Sequence, residues 1–265
     1  QIYTHTLPGG AQLIGYLRDR TVEMLLNTRP AILILPGGGY AWCSRREADP
    51  VAMQFLQAGY NVFTLYYTCR SDESVPALRW QPLIDAAGAI LHIRRNAEQF
   101  GTDPAKIAIC GFSRAAIGGV HGHPVGRRAC ADCPWHPCTE ARPDAVVLGY
   151  PVITTGEYRH DGSLVNLCGD DADLRATMSL ENQVRDGLPP FFVWHTVEDP
   201  SVPVQNSLML AGALQPKVPL ELHLFAHDGH GTSTCTREVN TPNKHNSAWV
   251  ALCTDWLAET FDFHL

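Results

Sequence analysis

Apolar runs of strand length recur along the chain, and segments with apolar residues at helical spacing lie between them. The near-continuous apolarity of the runs predicts strands that are buried on both faces, and the intervening segments predict crossover helices. The runs cover 31–35, 61–66, 106–110, 145–148, 191–196 and 220–225, and the helical segments cover 47–58, 82–100, 204–214 and 247–260. We therefore expect an α/β fold with a doubly wound, mainly parallel central sheet flanked by helices.

The remaining segments predict additions to this sheet and one long loop region. Residues 11–17 and 23–26 predict antiparallel edge strands before the parallel part begins. The long polar stretch 152–190 predicts a loop-rich excursion over the functional site. Because proteins built on one large sheet reach 265 residues as one unit, we expect 1–265 to form a single domain.

Charge and hydropathy exclude several classes of partner. The 20 basic and 27 acidic residues give a net charge of −7, and no basic run could follow a phosphate backbone, so we expect no nucleic acid. No stretch approaches the roughly 18 apolar residues of a membrane span. Residues 1–10 also lack a basic and then apolar leader. We expect no membrane partner and a cytoplasmic protein, unless an export signal upstream of Gln1 was removed.

One strand-length run ends in Gly111-Phe112-Ser113. This pattern is typical of a sharp turn that lifts a serine hydroxyl above the carboxyl end of a sheet. Such a turn needs small residues two positions on either side of the serine, and Gly111 and Ala115 meet that need. The motif alone is equally typical of a serine that caps a helix after a buried strand. It makes Ser113 the candidate nucleophile.

A glycine-rich segment, Gly37-Gly38-Gly39, follows the first long apolar run. Three glycines allow backbone N–H groups to converge on a developing oxyanion without obstruction by side chains. A phosphate-binding loop is disfavoured, because neither Gly-Lys-Ser/Thr nor Gly-x-Gly-x-x-Gly spacing is present. The alternative is a plain glycine-rich turn.

Two adjacent carboxylates, Glu198 and Asp199, follow the run 191–196. An acid that orients a catalytic histidine belongs on such a loop at the carboxyl end of a strand. We prefer Asp199 because it lies further into the turn. Glu198 remains a competitor, and either residue could instead cap a helix that begins near Pro203. His195 lies inside the run and is interpreted as a packed residue of the core.

The candidate general base follows the last long run. His230 is flanked by Gly229 and Gly231, which favour a mobile and exposed loop. His223 on the strand and His227 before the turn are the alternatives. A metal site would need carboxylate or cysteine partners beside these histidines.

The order Ser113, Asp199, His230 is the order that α/β-hydrolases use, with each residue on a loop after a successive apolar run. Together the three residues predict a serine nucleophile, an acid that orients the histidine and a histidine general base. This chemistry needs neither a metal nor an organic cofactor, so we expect none.

On these motifs the chain resembles the short-chain carbohydrate acetyl esterases of the α/β-hydrolase fold, which are related to acetylxylan esterases and to the hormone-sensitive-lipase group. The resemblance covers nearly the whole chain. It rests on 29–40, 46–48, 111–113, 142–151, 194–196 and 202–204. It implies an oxyanion hole formed by Gly38, Gly39 and the backbone N–H of Arg114. It also implies a serine carboxylesterase acting on short acyl esters, above all acetyl esters of a sugar or xylo-oligosaccharide.

Two other functions stay open at this point. One is a catalytically impaired α/β-hydrolase that only binds ligands, because the segment after Ser113 is altered. The other is a serine peptidase on the same fold, which the absence of a propeller or other gating domain disfavours. The sugar, the acyl group and a homo-oligomeric state stay open as well.

The segment after Ser113 departs from the resemblance. Relatives continue as Ser-Ala-Gly-Gly-His, whereas this chain reads Ser113-Arg114-Ala115-Ala116-Ile117. Loss of the third base of the serine codon would produce this reading, so we hypothesise that 114 to about 138 is wholly or partly out of frame. The competing interpretation is a zinc site, although its ligands lie closer together than is usual. These ligands would be Cys130, Cys133, His136 and Cys138.

Overall fold

The computed structural model describes residues 1–113 and 139–265. Its central sheet has eight strands in the order β1-β2-β4-β3-β5-β6-β7-β8. β2 pairs antiparallel with β1 and β4, and every other pair is parallel. The strands are β1 Ile2–Thr6, β2 Gln12–Tyr16, β3 Arg29–Leu35, β4 Asn61–Tyr66, β5 Thr102–Phe112, β6 Ala145–Gly149, β7 Phe191–Thr196 and β8 Leu220–Phe225. The predicted mainly parallel sheet is confirmed.

Helices cover both faces of the sheet. They are α1 Asp49–Gln57, α2 Gln81–Arg95, α3 Ala97–Phe100, α4 Asp161–Cys168, α5 Ala172–Thr177, α6 Gln205–Leu214 and α7 Ala248–Phe261. In β3, Leu33 packs into the core on the α2 and α6 face, whereas Ile32 and Ile34 pack into the core on the α1 and α7 face. Successive strand residues point to opposite faces, so a strand buried on both sides must be apolar throughout.

The amino-terminal edge of the sheet differs from the prediction. The predicted strand 23–26 is wrong, because this segment forms turns whose backbone is held by the side chain of Asn27. Val22 and Leu25 are exposed there instead of packing. The edge strand is Ile2–Thr6, which pairs with β2 along its whole length.

The stretch 152–190 contains α4, α5 and the short 3₁₀ turn Leu180–Asn182. Leu164, Leu167 and Leu180 from this stretch pack into the core. The side-chain amide of Asn166 donates to the carbonyl of Gly39 at 3.0 Å, so α4 contacts the glycine loop. The predicted organisation of 1–265 as one domain stays a prediction.

Within 1–113 and 139–265, no helix is both long enough and apolar enough to cross a bilayer.

Candidate active site

Ser113 follows directly after β5 in a strained conformation. Its φ of +54° lies in the left-handed region, which costs a non-glycine residue of order 1–3 kcal/mol. The N–H of Val152 donates to the carbonyl of Ser113 at 3.0 Å and helps to hold this turn. The residue is 7% exposed. A strained serine at the carboxyl end of a central strand is the geometry of a nucleophile elbow.

The structure brings Ser113, His230 and Asp199 into one hydrogen-bonded row. Nε2 of His230 lies 2.9 Å from Oγ of Ser113, and Nδ1 of His230 lies 2.6 Å from Oδ2 of Asp199. When Nδ1–H donates to the carboxylate, Nε2 is left to accept the proton of the serine hydroxyl. The row therefore places a base within reach of a nucleophile, which is the first geometric requirement of general base catalysis.

Asp199 is surrounded by hydrogen-bond donors. Its Oδ1 accepts from the N–H groups of Ser201 at 2.9 Å and Val202 at 2.8 Å. Burial by itself would raise the pKa of Asp199, but the hydrogen bonds from His195 and His230 and from the backbone hold that pKa well below its usual range. Asp199 is consequently a carboxylate at neutral pH, and it can orient His230 and stabilise its protonated form.

His195 contacts Asp199, which the sequence interpretation of a packed core residue missed. This histidine lies inside β7 and is fully buried. Its Nε2 lies 3.3 Å from Oδ2 of Asp199 and 3.0 Å from the carbonyl of Val202, and its Nδ1 lies 2.7 Å from Oγ of Ser207. A polar residue within an otherwise apolar run was the available signal, because buried polar groups need hydrogen-bond partners.

The competing acid and histidines lie elsewhere. Glu198 pairs at 3.1 Å with Nδ1 of His227, and both side chains are exposed. His223 pairs with Glu221 at 2.8 Å within β8. Of the candidate histidines, the structure places His230 against Ser113. Of the two candidate acids, it places Asp199 against His230.

The glycine loop packs directly against the nucleophile. A methyl group on Gly37 would lie 3.0 Å from Cβ of Ser113. Gly38 has a φ of +130°, and a methyl group there would lie 2.1 Å from the carbonyl oxygen of Trp42, so this position requires glycine. Gly39 is held by Asn166, as described above. The predicted third donor, the N–H of Arg114, lies outside the described residues.

A second buried carboxylate, Glu47, lies between the glycine loop and the loop of His230. Its Oε2 accepts from the N–H of Gly37 at 2.7 Å, and its Oε1 accepts from the hydroxyl of Tyr150 at 2.6 Å. Burial raises the pKa of Glu47, although the hydrogen bonds from Tyr150 and Gly37 act in the opposite direction. In the sequence, Glu47 stood at the start of the helical segment 47–58 and among the residues of the family resemblance, without a predicted role.

The described residues contain no cluster of three or more His, Cys, Asp or Glu side chains that could hold a metal ion. The candidate zinc ligands between Cys130 and Cys138, and the segment hypothesised to be out of frame, lie outside the part of the chain that the structure describes.

Solved structures with this fold share substantial sequence with the chain. It is 32% identical to an acetyl ester-xyloside bifunctional hydrolase from Caldicellulosiruptor lactoaceticus, with a TM-score of 0.81 over 97% of this chain and 90% of that one. It is 31% identical to MGS-M1, an α/β hydrolase enzyme from a Medee basin deep-sea metagenome library, with a TM-score of 0.77 over 99% of this chain and 98% of that one. This chain belongs to the α/β-hydrolases. The predicted fold class and family are confirmed.

Two family models match separate segments of this α/β-hydrolase. BD-FAE matches residues 23–121, and the prolyl oligopeptidase family matches residues 150–264. The first match contains Ser113 and the glycine loop, and the second contains Asp199 and His230. The candidate site is therefore assembled from both matched segments.

A curated relative is longer than this α/β-hydrolase. Endo-1,4-beta-xylanase B from Butyrivibrio fibrisolvens is 39% identical in an alignment of 235 residues that covers 85% of this chain and 35% of the xylanase. A second curated relative, the esterase LipQ of Mycobacterium tuberculosis, is 26% identical in an alignment of 201 residues that covers 70% of this chain and 46% of LipQ. The chain thus spans less than half the length of either curated relative.

Proposed function

We propose that this α/β-hydrolase is a serine carboxylesterase that hydrolyses short acyl esters through an acyl-serine intermediate. The observation that carries the proposal is the unbroken row from Ser113 Oγ to His230 at 2.9 Å and on to Asp199 at 2.6 Å. The left-handed turn at Ser113 supports it, because this conformation presents the hydroxyl at the carboxyl end of the sheet.

In the acylation half of the proposed reaction, Oγ of Ser113 attacks the ester carbonyl while Nε2 of His230 takes the hydroxyl proton. The tetrahedral intermediate then collapses, the ester C–O bond breaks, and His230 returns the proton to the departing alcohol. Asp199 remains a carboxylate throughout. Its charge stabilises the imidazolium and keeps Nδ1 protonated.

In the deacylation half, a water molecule takes the place of the alcohol. His230 removes a proton from the water as its oxygen attacks the acyl carbonyl, and the carboxylic acid leaves when the bond to Ser113 breaks. The same histidine returns the proton to Oγ. The cycle consumes one ester and one water and restores the enzyme.

The oxyanion of both tetrahedral intermediates would be held by the backbone N–H groups of Gly38, Gly39 and Arg114. The position of the glycine loop against Ser113 supports this assignment. One such donor is typically worth about 10²–10³ in turnover. The loop requires glycine at position 38 because of its positive φ and the nearby carbonyl of Trp42, so this residue fixes the shape of the loop beside Ser113.

The proposed substrate is a small-molecule or oligosaccharide ester, most specifically an acetylated sugar or xylo-oligosaccharide. Its support is the acetyl ester-xyloside hydrolase from Caldicellulosiruptor lactoaceticus and the xylanase from Butyrivibrio fibrisolvens among the relatives. A net charge of −7 favours an uncharged ester over a polyanion. The cytoplasmic location and a homo-oligomeric state stay predictions.

The replacement Ser113→Ala tests the proposal. We expect turnover of an aryl acetate to fall by several orders of magnitude, because alanine has no hydroxyl with which to form the acyl intermediate. A fluorophosphonate probe should label the wild type at Ser113 and leave the variant unlabelled. Ser71→Ala, the same replacement on an exposed loop, is the matched control and should retain wild-type turnover.

Other outcomes would point to other functions. Wild-type turnover in Ser113→Ala would overturn the assignment of the nucleophile. A folded wild type that neither turns over esters nor reacts with the probe would indicate a protein that only binds ligands. A serine peptidase is the second candidate, because residues 150–264 match the prolyl oligopeptidase family. Cleavage of peptide anilides in preference to acetyl esters would favour it.

A further inference from the structure

Glu47 is a buried ionisable group that the proposed mechanism does not use. It ends the short 3₁₀ turn Arg45–Glu47 and is 3% exposed. Burying a carboxylate is costly unless strong donors compensate it. Glu47 has such donors on both of its oxygens, and each donor belongs to a different part of the candidate active site.

The first donor belongs to the glycine loop. Oε2 of Glu47 accepts from the N–H of Gly37 at 2.7 Å. Gly37 adjoins Gly38 and lies against Cβ of Ser113. Its carbonyl accepts from the N–H of Ser44 at 2.8 Å, so both polar groups of Gly37 are bound to the segment that carries Glu47. The carboxylate therefore sets where the glycine loop begins relative to the nucleophile.

The second donor belongs to the surroundings of His230. Oε1 of Glu47 accepts from the hydroxyl of Tyr150 at 2.6 Å, and the same hydroxyl oxygen accepts from the N–H of Ser233 at 3.0 Å. The ring of Tyr150 packs edge-on against the ring of His230, with 4.9 Å between the centroids. Through Tyr150, the carboxylate therefore fixes both the general base and the loop that follows it.

We propose that Glu47 is a positioning residue for ester hydrolysis, because one carboxylate ties the glycine loop beside Ser113 to the loop that carries His230. The inference rests on the proposed function. Glu47 acts through Gly37 and Tyr150 and does not touch the substrate. Its loss displaces the oxyanion donors and the base from Ser113, and such a displacement lowers the rate of the chemical steps more than it weakens substrate binding.

The replacement Glu47→Gln keeps the shape of the side chain but puts an amide donor where one carboxylate oxygen was. One of the two existing donors, the Gly37 N–H or the Tyr150 hydroxyl, then loses its acceptor. We expect kcat on an aryl acetate to fall about 10- to 100-fold, with KM changed less than about 3-fold. The rate of fluorophosphonate labelling at Ser113 should fall by a similar factor.

A matched control is Asp49→Asn. The carboxylate of Asp49 also accepts from a tyrosine hydroxyl, that of Tyr16 at 2.7 Å, but this pair is exposed and lies outside the candidate site. The control makes the same acid-to-amide change at a carboxylate that accepts from a tyrosine hydroxyl, two residues along the chain from Glu47. We expect it to keep the wild-type kcat.

A second variant separates positioning from folding. Tyr150→Phe leaves the bond between Glu47 and Gly37 intact and removes the bridge to Ser233, so we expect a smaller fall in kcat. The final extent of fluorophosphonate labelling at Ser113, measured after the slower reaction is complete, counts correctly folded sites, and it should reach the wild-type value in both variants.

The outcomes distinguish this inference from the proposed function. If Ser113→Ala abolishes turnover while Glu47→Gln and Tyr150→Phe keep the wild-type kcat, only the positioning role is overturned. The same conclusion follows if the final extent of labelling falls and the kcat for each labelled site does not change. If Glu47→Gln does not fold, the kcat of Tyr150→Phe decides the question.

Discussion

Two buried carboxylates serve the same histidine in different ways. Asp199 binds His230 directly and accepts hydrogen bonds from two backbone N–H groups and from His195 as well. Glu47 is linked to His230 through the ring of Tyr150 and accepts from one backbone N–H and one hydroxyl. Burial alone would raise the pKa of either group, yet the pKa of Asp199 is lowered and that of Glu47 is raised.

The difference shows that the donors, and not the burial, decide what a carboxylate can do beside a catalytic base. Two histidines and two N–H groups keep Asp199 charged, so it can stabilise a developing imidazolium. The two neutral donors of Glu47 satisfy its oxygens without offsetting the whole cost of burying its charge. We therefore expect Asp199 to act electrostatically on His230 and Glu47 to act on the geometry around it.

The largest expected effect is that of Asp199→Asn. The amide can donate to Nδ1 of His230 and stabilise the wrong tautomer, so we expect kcat to fall about 10⁴-fold, as in other serine hydrolase triads. This loss should exceed that of Glu47→Gln by at least about 100-fold when both are measured on the same aryl acetate. Equal losses would show that the two carboxylates act alike and would remove the contrast.

An intermediate effect is expected for His195→Gln. It replaces a buried donor to Asp199 and disturbs the partner of Ser207, so we expect the free energy of unfolding to fall by about 1.5–3 kcal/mol. His223→Gln is the matched control, since His223 is a half-buried strand histidine that pairs with Glu221. Its effect should stay within about 0.5 kcal/mol. Urea denaturation measures both, and equal values would show that the contact with Asp199 contributes nothing to stability.

The smallest effect is a difference in how stability depends on pH. The lowered pKa of Asp199 gives stability that is present above about pH 3.9, the value of an unfolded Asp, and is lost as pH falls further. The raised pKa of Glu47 gives stability that is present below about pH 4.3, the value of an unfolded Glu, and is lost as pH rises through the folded pKa.

Urea denaturation at a series of pH values measures the direction of each pH dependence. The proteins compared are the wild type, Asp199→Asn and Glu47→Gln. As pH rises, the stability advantage of the wild type over Asp199→Asn should widen, and its advantage over Glu47→Gln should narrow. A trend of the same sign in both comparisons would contradict the opposite pKa shifts of the two carboxylates.

The parallel part of the sheet was predictable because its strands are mostly apolar. The runs 61–66, 191–196 and 220–225 coincide with β4, β7 and β8. The edge was harder to predict. Ile2–Thr6 has polar residues among its apolar ones and pairs on one side only, and 23–26 is apolar enough for a strand but is held in turns by Asn27. A local pattern does not show which segment finds a pairing partner.

The site was predictable where each residue follows an apolar run. Ser113, Asp199 and His230 could be proposed because the carboxyl ends of parallel strands meet at one edge of the sheet. Glu47 and Tyr150 could not be paired, because they are 103 positions apart and their contact depends on packing. His195 was assigned to the core because it lies in a strand, and its partners appear only when the loop after β7 folds back onto it.

The sheet order also has a consequence for protein engineering. β1 to β5 all lie on one side of the β5–β6 boundary, and β6 to β8 lie on the other, so the sequence and the sheet divide at the same seam. That seam is the parallel pairing from Ala108–Ala145 to Phe112–Gly149. The amino-terminal part carries Ser113 and Glu47, and the carboxyl-terminal part carries Tyr150, Asp199 and His230. Two fragments divided at this seam each lack half of the machinery, so reassembly of a split enzyme could be read directly from the return of ester hydrolysis.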